Sequence, residues 1–256
     1  MTKIWHIIGN GPGTVICVEG ERRVRFNQPT AVNDSDCLII CNGKVAEQKR
    51  PFVVQGGLPD EQFVVPQLVE HAAQLQNQLG CWPSCGLVAL SCLRETNGII
   101  KISAMNLLPS LERPTAMGPR QPLPCAFHNW LGERRLAQAW LERLQWPAYE
   151  LPFSSKRGFR DEQCFERLMA LPSLSRRQAS IEWQSLAAID ELSWCESASV
   201  ERLRACEPLF FLSRGRTNTN LWWMYDNAVS VYVSRVYTAL AVAQQTLHHC
   251  CPLATA

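Results

Sequence analysis

The first residues whose types and spacing could do chemistry lie near the amino end. Ile7-Ile8-Gly9-Asn10-Gly11-Pro12-Gly13-Thr14 follows an apolar run, and glycines at such an exit let backbone amides approach a phosphate. The spacing departs from the dinucleotide pattern G-x-G-x-x-G, because Thr14 stands where the third glycine is required. The acid that would bind a ribose about 20 residues on is replaced by Val24-Arg25-Phe26-Asn27-Gln28. A flavin or nicotinamide site is therefore demoted, and a tight strand exit with no ligand stays open beside the phosphate reading. Asp34-Ser35-Asp36 spells D-x-D, a pair that holds a divalent cation in many glycosyltransferases. Two carboxylates beside a serine are as readily a polar turn before a strand. The 12 cysteines include Cys37-x3-Cys41, Cys81-x3-Cys85 and Cys250-Cys251, but no paired C-x2-C with histidines at zinc spacing. They read as free structural thiols of a reducing compartment.

The elements that must position these residues follow from periodicity. Ile4 to Ile8, Val24 to Phe26, Leu38 to Cys41 and Phe52 to Val54 read as strands between turn signals. Pro66 opens a helix in which Leu68, Val69, Ala72, Leu75 and Leu79 recur at helical spacing up to Gly80. Cys81-Trp82-Pro83-Ser84-Cys85-Gly86 precedes a second, apolar helix to about Arg94. A turn at Asn97-Gly98 and a buried-strand run from Ile99 to Met105 complete a βαβ half-unit. A proline-rich link from Pro109 to Pro124 leads to a third helix, from near His128 to Pro147, with Ala137, Trp140, Leu141 and Leu144 on one face. Beyond Leu151 the pattern is helical, apart from a strand candidate at Pro208 to Leu212. It ends in an apolar helical tail, Leu221 to Leu247.

With 256 residues, 46% of them apolar and 19% charged, the chain can bury a full core, which excludes disordered and collagen-like classes. A net charge of +2 supplies no sequence-wide field for nucleic acid, and no nucleic-acid partner is expected. No leader is read at the amino end, and Asp226, Asn227, Ser230, Ser234 and Arg235 interrupt the longest apolar stretch. A cytoplasmic location is the expectation, without a spanning helix. Trp222, Trp223, Tyr225, Tyr232 and Tyr237 leave two readings of the tail, a headgroup interface or core packing.

Three segments carry a resemblance. Gly9-Asn10-Gly11 with Val24-Arg25-Phe26-Asn27-Gln28 resembles the large sialyl motif of sialyltransferases. Pro83-Ser84-Cys85-Gly86-Leu87 resembles the P-S-T-G-L core of the small motif, with Cys85 in place of threonine. His128-Asn129-Trp130-Leu131-Gly132-Glu133 resembles the very short motif, a histidine with a glutamate five residues later. Their order is similar to that of glycosyltransferase family 29 in its small bacterial form, with the family 42 sialyltransferases as second choice. The resemblance spans roughly Ile4 to Leu144.

It implies an α/β fold with a Rossmann-like, mostly parallel sheet of the GT-A-variant kind, residues 1–147, completed by a helical C-terminal portion, 148–256. The implied activity is inverting, metal-independent transfer of sialic acid or a related acidic sugar from a CMP-sugar to a glycan or glycolipid hydroxyl. Asn10, Gly11, Asn27, Ser84, Cys85 and Gly86 would hold the donor, with amide side chains able both to donate and to accept. Asp36 would line the same pocket. His128 would act as general base, and Glu133 would orient it or hold the first turn of its helix. No cofactor and no metal are implied. The family's second histidine is missing, since no histidine lies between Gly80 and Ala126, with Arg113 or Arg120 as substitutes by charge. Two other readings stay open: a CMP-Kdo-type transferase, and a non-catalytic nucleotide-binding accessory protein on the same scaffold. Oligomeric state is open, as is peripheral membrane contact.

Overall fold

The computed structural model describes residues 3–27, 36–40, 52–56, 65–111, 117, 121–154, 158–213 and 219–250. They fall into two compact units. Residues 1–106 and 140–150 form one, and residues 107–139 and 151–256 form the other. This division differs from the expected boundary at 147: the segment bearing His128 groups with the C-terminal helices, and the stretch after it returns to the sheet.

The first unit is a mixed α/β layer. Strands β1 (Ile4–Ile8), β2 (Arg22–Phe26), β3 (Asp36–Ile40), β4 (Val53–Gly56), β5 (Ile99–Ser103) and β6 (Leu144–Gln145) lie in the order β4-β3-β2-β1-β5-β6. Every pairing is parallel except β3 with β4, so the expectation of a mostly parallel sheet holds. The strand order reverses direction between β1 and β5, the place where parallel α/β sheets open a crevice at their carboxyl ends.

Alternation along the strands gives this sheet two unlike faces. Trp5 pairs in register with Ile100, and Ile7 with Ile102 and Val24; all five are buried and share one face. His6, in register with Lys101 and Arg23, shares the opposite face with Ser103. Helix α1 (Val65–Leu79) is amphipathic, burying Leu68, Ala72, Leu75 and Leu79, as its spacing predicts. Helix α2 (Cys85–Leu93) is buried all round, and His71 of α1 shares a 2.9 Å hydrogen bond with Ser91 of α2.

One helix expectation is corrected. The periodicity from His128 to Pro147 suggests one continuous helix, but α3 (Trp130–Gln138) stops at Ala139. Leu141–Arg143 then makes a single 3-10 turn, and Leu144–Gln145 joins the sheet beside β5 as β6. Trp146 explains part of this: its indole N–H donates to the Met105 carbonyl at 2.5 Å, pinning the chain to the end of β5.

The second unit is helical. It holds α3 with α4 (Cys164–Ala170), α5 (Arg176–Leu186), α6 (Glu191–Ser197), α7 (Val200–Cys206) and the long α8 (Asn227–Cys250). Local chemistry starts these helices: Ser175 and Gln178 form a reciprocal capping box, Asp190 caps α6, and Ser199 caps α7. The strand candidate at Pro208–Leu212 is corrected, since Glu207–Phe210 is a 3-10 turn. Its core is aromatic, with Trp183 packed on Phe210 and Trp223 at ring separations of 5.9 and 5.6 Å, and Phe210 on Tyr237 at 5.1 Å. Each such burial removes enough apolar surface to contribute about 2 kcal/mol or more. Trp222, Trp223 and Tyr237 of the tail are buried, so core packing accounts for them. Among the described residues no helix is long and apolar enough to cross a membrane.

Candidate functional site

Two groups of expected site residues form in the structure, one in each unit. In the first unit they gather at the carboxyl ends of β1, β2 and β5. The chain leaves β1 into the glycine turn, where the Gly9 N–H donates to the Ser103 carbonyl and the Gly11 N–H to the Ala104 carbonyl, at 2.9 and 2.8 Å. A Cβ at Gly9 would collide with the Ala104 carbonyl oxygen, and one at Gly11 would come within 2.9 Å of it. Close approach to β5 is therefore a sufficient reason for both glycines. The Gly11 N–H, expected on a phosphate, is already engaged with Ala104.

Asn10 is exposed, yet its amide N–H donates to the Phe26 carbonyl at 2.9 Å and ties the turn to β2. Asn27 follows β2 in the left-handed region at φ 52°, a conformation asparagine tolerates better than most side chains. Its backbone N–H donates to the Ile39 carbonyl at 3.1 Å, and its side-chain amide to the Cys85 thiol at 3.8 Å. Asn27 and Cys85 are thus brought together. Ser84 caps α2, its hydroxyl accepting from the Leu87 N–H at 3.2 Å. Gly86 is buried, and a Cβ there would stand 2.5 Å from the Met105 sulfur. Asp34, Ser35, Gln28, Arg113 and Arg120 lie outside the described residues; Asp36 begins β3.

The second unit assembles the histidine motif. His128 closes the 3-10 turn Pro124–Phe127, and Asn129 caps α3, its side-chain oxygen accepting from the Gly132 N–H at 2.9 Å. The turn and cap bring His128 Nδ1 to 3.9 Å from Glu133 Oε1, a charge-pair distance rather than a hydrogen bond. The His128 side chain is 19% exposed and that of Glu133 fully buried. The imidazole also packs edge-on to Trp130, ring centroids 5.2 Å apart.

Sequence reasoning missed what holds this cap. Glu207, buried in the second unit, accepts from Asn129 Nδ2 at 2.8 Å and from Arg135 Nε and Nη2 at 2.7 and 3.1 Å. No local pattern links residues 72 to 78 positions apart. Glu133 stands in a charged neighbourhood: the Tyr237 hydroxyl is pushed well above its usual value, first by burial and then by the nearby Glu133 charge, with Arg134 opposing.

A further polar group, also unforeseen, lies on the second face of the first unit's sheet. His6 is fully buried, its Nδ1 2.9 Å from Glu21 Oε2 and its Nε2 2.9 Å from Ser103 Oγ. Lys101 Nζ donates to Glu21 Oε1 at 2.9 Å and to the Ile16 carbonyl at 2.8 Å, and the Val18 N–H donates to Glu21 Oε2 at 3.0 Å. The legible signal was polar residues at alternate positions of strands that are otherwise apolar. His6, Cys17 and Glu21 bring potential metal-ligand atoms within 4.8 Å of one another. Both His6 nitrogens already have partners, and the Lys101 ammonium opposes a further cation at Glu21.

The cysteines among the described residues are free, and Cys37, Cys81, Cys85, Cys92, Cys164 and Cys206 are buried. Comparison with family models, with curated proteins and with solved structures finds no match. The fold and site together define a mixed α/β protein with a mostly parallel sheet, polar groups at its carboxyl edge, and a C-terminal helical region.

Proposed function

We propose that the chain is an inverting, metal-independent glycosyltransferase using a CMP-sugar, with sialic acid or a related acidic sugar as the group moved, in a GT-A-variant-like arrangement. One observation carries this reading: Asn27 and Cys85, assigned to the donor from two separate motifs, meet in a hydrogen bond at the carboxyl edge of the sheet. That edge is where parallel α/β sheets bind nucleotides. Asn27 holds the nucleotide by its amide, and Asn10 sets the turn beside it through Phe26. His128 takes the proton of the acceptor hydroxyl as its oxygen bonds to the anomeric carbon, and CMP leaves with the electron pair of the broken glycosyl–phosphate bond. The Glu133 carboxylate, 3.9 Å away, stabilises the imidazolium that forms. The acceptor is a glycan or glycolipid hydroxyl, and a cytoplasmic enzyme would meet a glycolipid at the inner face of a membrane.

A second reading, a nucleotide-binding protein without turnover, is favoured by a specific set of contacts. The Gly11 N–H, the Ser84 hydroxyl and the Asn10 amide each already serve a protein partner, and threonine is replaced by Cys85. Calorimetry with CMP, followed by CMP release from CMP-sialic acid, tests both readings in wild type, Asn27→Ala and His128→Ala. The transferase reading expects binding lost in the first variant, and turnover lost with binding kept in the second. Binding of CMP without release, across glycolipid acceptors and across CMP-sialic acid and CMP-Kdo as donors, would establish the second reading. Absence of CMP binding would sink both.

A further inference from the structure

The buried polar group around His6 has a defined proton arrangement. Glu21 sits low in its titration: burial, the largest influence, raises it, but hydrogen bonds from Val18, Lys101 and His6 outweigh that. An ionised carboxylate can only accept, so His6 Nδ1 carries the proton that lies between them. Burial, with the Lys101 and Arg25 charges adding to it against Glu21, lowers His6 and keeps the ring neutral. Its Nε2 therefore accepts, and the Ser103 hydroxyl donates to it at 2.9 Å.

The resulting order is carboxylate, imidazole, hydroxyl, with the carboxylate on Nδ1 and the hydroxyl on Nε2. That is the arrangement by which a serine is made nucleophilic on unrelated folds. Its setting agrees. Ser103 is the last residue of β5, only partly buried, at the edge where the strand order reverses. Ala104, the next residue, is held at φ 52°, a strained conformation for alanine of the kind that gathers at reactive turns. The loop fastened to the group through Ile16 and Val18 presents Val15, Ile16 and Val18 outward, an apolar surface beside it.

We propose that Ser103, His6 and Glu21 form a nucleophilic acyl-transfer site for esters or thioesters of apolar acids, separate from the CMP-sugar chemistry. Ser103 Oγ bonds to the acyl carbon while its proton passes to His6 Nε2. The bond to the leaving alkoxide or thiolate breaks, and that group takes the proton from His6. Water then attacks the acyl-serine by the same relay, releasing the acid and restoring the hydroxyl.

A fluorophosphonate probe, with the labelled peptide read by mass spectrometry, and the burst of p-nitrophenyl butyrate hydrolysis test this on the full chain. Expected are one label on Ser103, its loss in Ser103→Ala, and slowing by about 100-fold or more in Glu21→Gln, which removes the charge opposite Nδ1. Cys17→Ser, which deletes the nearby exposed thiol, should label as wild type does. Thermal melts establish that each variant is folded. Absence of label on Ser103 in the folded wild type, an equal rate in Glu21→Gln, or a burst that disappears with Cys17→Ser would each overturn the proposal.

Discussion

Asn27 and Cys85 are 58 residues apart in the chain, yet the amide of one donates to the thiol of the other at 3.8 Å. The contact joins the end of β2 to the first turn of α2, so the two segments assigned to the nucleotide in the proposed function share one hydrogen bond. Sulfur is a weak acceptor. Cys85→Thr supplies a better one, and if the thiol only weakens a working site the variant should bind CMP several-fold more tightly, about 1 kcal/mol. Calorimetry reads this directly, and unchanged or weaker binding would remove Cys85 from the nucleotide site.

Gly9 is required by proximity rather than by φ. Gly9→Ala drives a methyl into the Ala104 carbonyl, which is backbone and cannot swing aside. A cost of about 1–3 kcal/mol is expected from overpacking of this kind. The measurement is a urea melt, where the midpoint should fall with little change in slope.

The cap of α3 depends on Glu207. Glu207→Gln removes the charge from the part-buried pair with Arg135 and weakens the hold on Asn129, so destabilisation of about 1.5–3 kcal/mol is expected, as for losing a hydrogen bond to a charged group. Asn129→Ala should cost about 1 kcal/mol as a lost cap. If the cap positions His128, both variants lower CMP release while leaving CMP affinity unchanged.

Acid should destabilise the first unit in two stages. His6 is lowered in the folded chain from an ordinary 6.5, chiefly by burial, so below that pH the unfolded chain takes up the proton first and stability falls. Glu21, also lowered, from 4.5, adds a second loss below that value. Melting temperature measured against pH should therefore decline from about pH 6.5 downward, and His6→Gln should flatten the upper part of the decline. A wild-type profile flat down to about pH 5 would show that His6 is not held neutral.

Thiol accessibility separates the cysteines. Burial pushes Cys92 and Cys206 up to about 12 and Cys125 to about 11, whereas Cys17 and Cys250 are exposed. Alkylation at neutral pH, mapped by mass, should mark Cys17 and Cys250 while Cys92 and Cys206 react only in denaturant. Early labelling of Cys92 would contradict the burial of α2.

Local chemistry made much of the frame readable. The apolar run Ile4–Ile8 before a glycine turn, Pro66 at a helix start, and the spacing of Leu68, Ala72, Leu75 and Leu79 each act within a few residues, so strand and helix follow from the chain alone. The pairing of His128 with Glu133 was legible for the same reason, as five residues across a cap and a first turn. Long-range relations were not. The periodicity after His128 resembled one helix, but Trp146 bonding to Met105 and the pairing of Leu144 with Ile100 draw that stretch into the sheet, and tertiary hydrogen bonds outweigh a modest helical preference. Glycines at 9 and 11 suggested a phosphate cradle, whereas the approach of β5 accounts for them. His6, Glu21 and Ser103 carried no motif at all. Register between β1 and β5 brings His6 and Ser103 together, and a loop closing onto that face adds Glu21, because side-chain chemistry of this kind depends on which strands lie side by side and not on spacing along the chain.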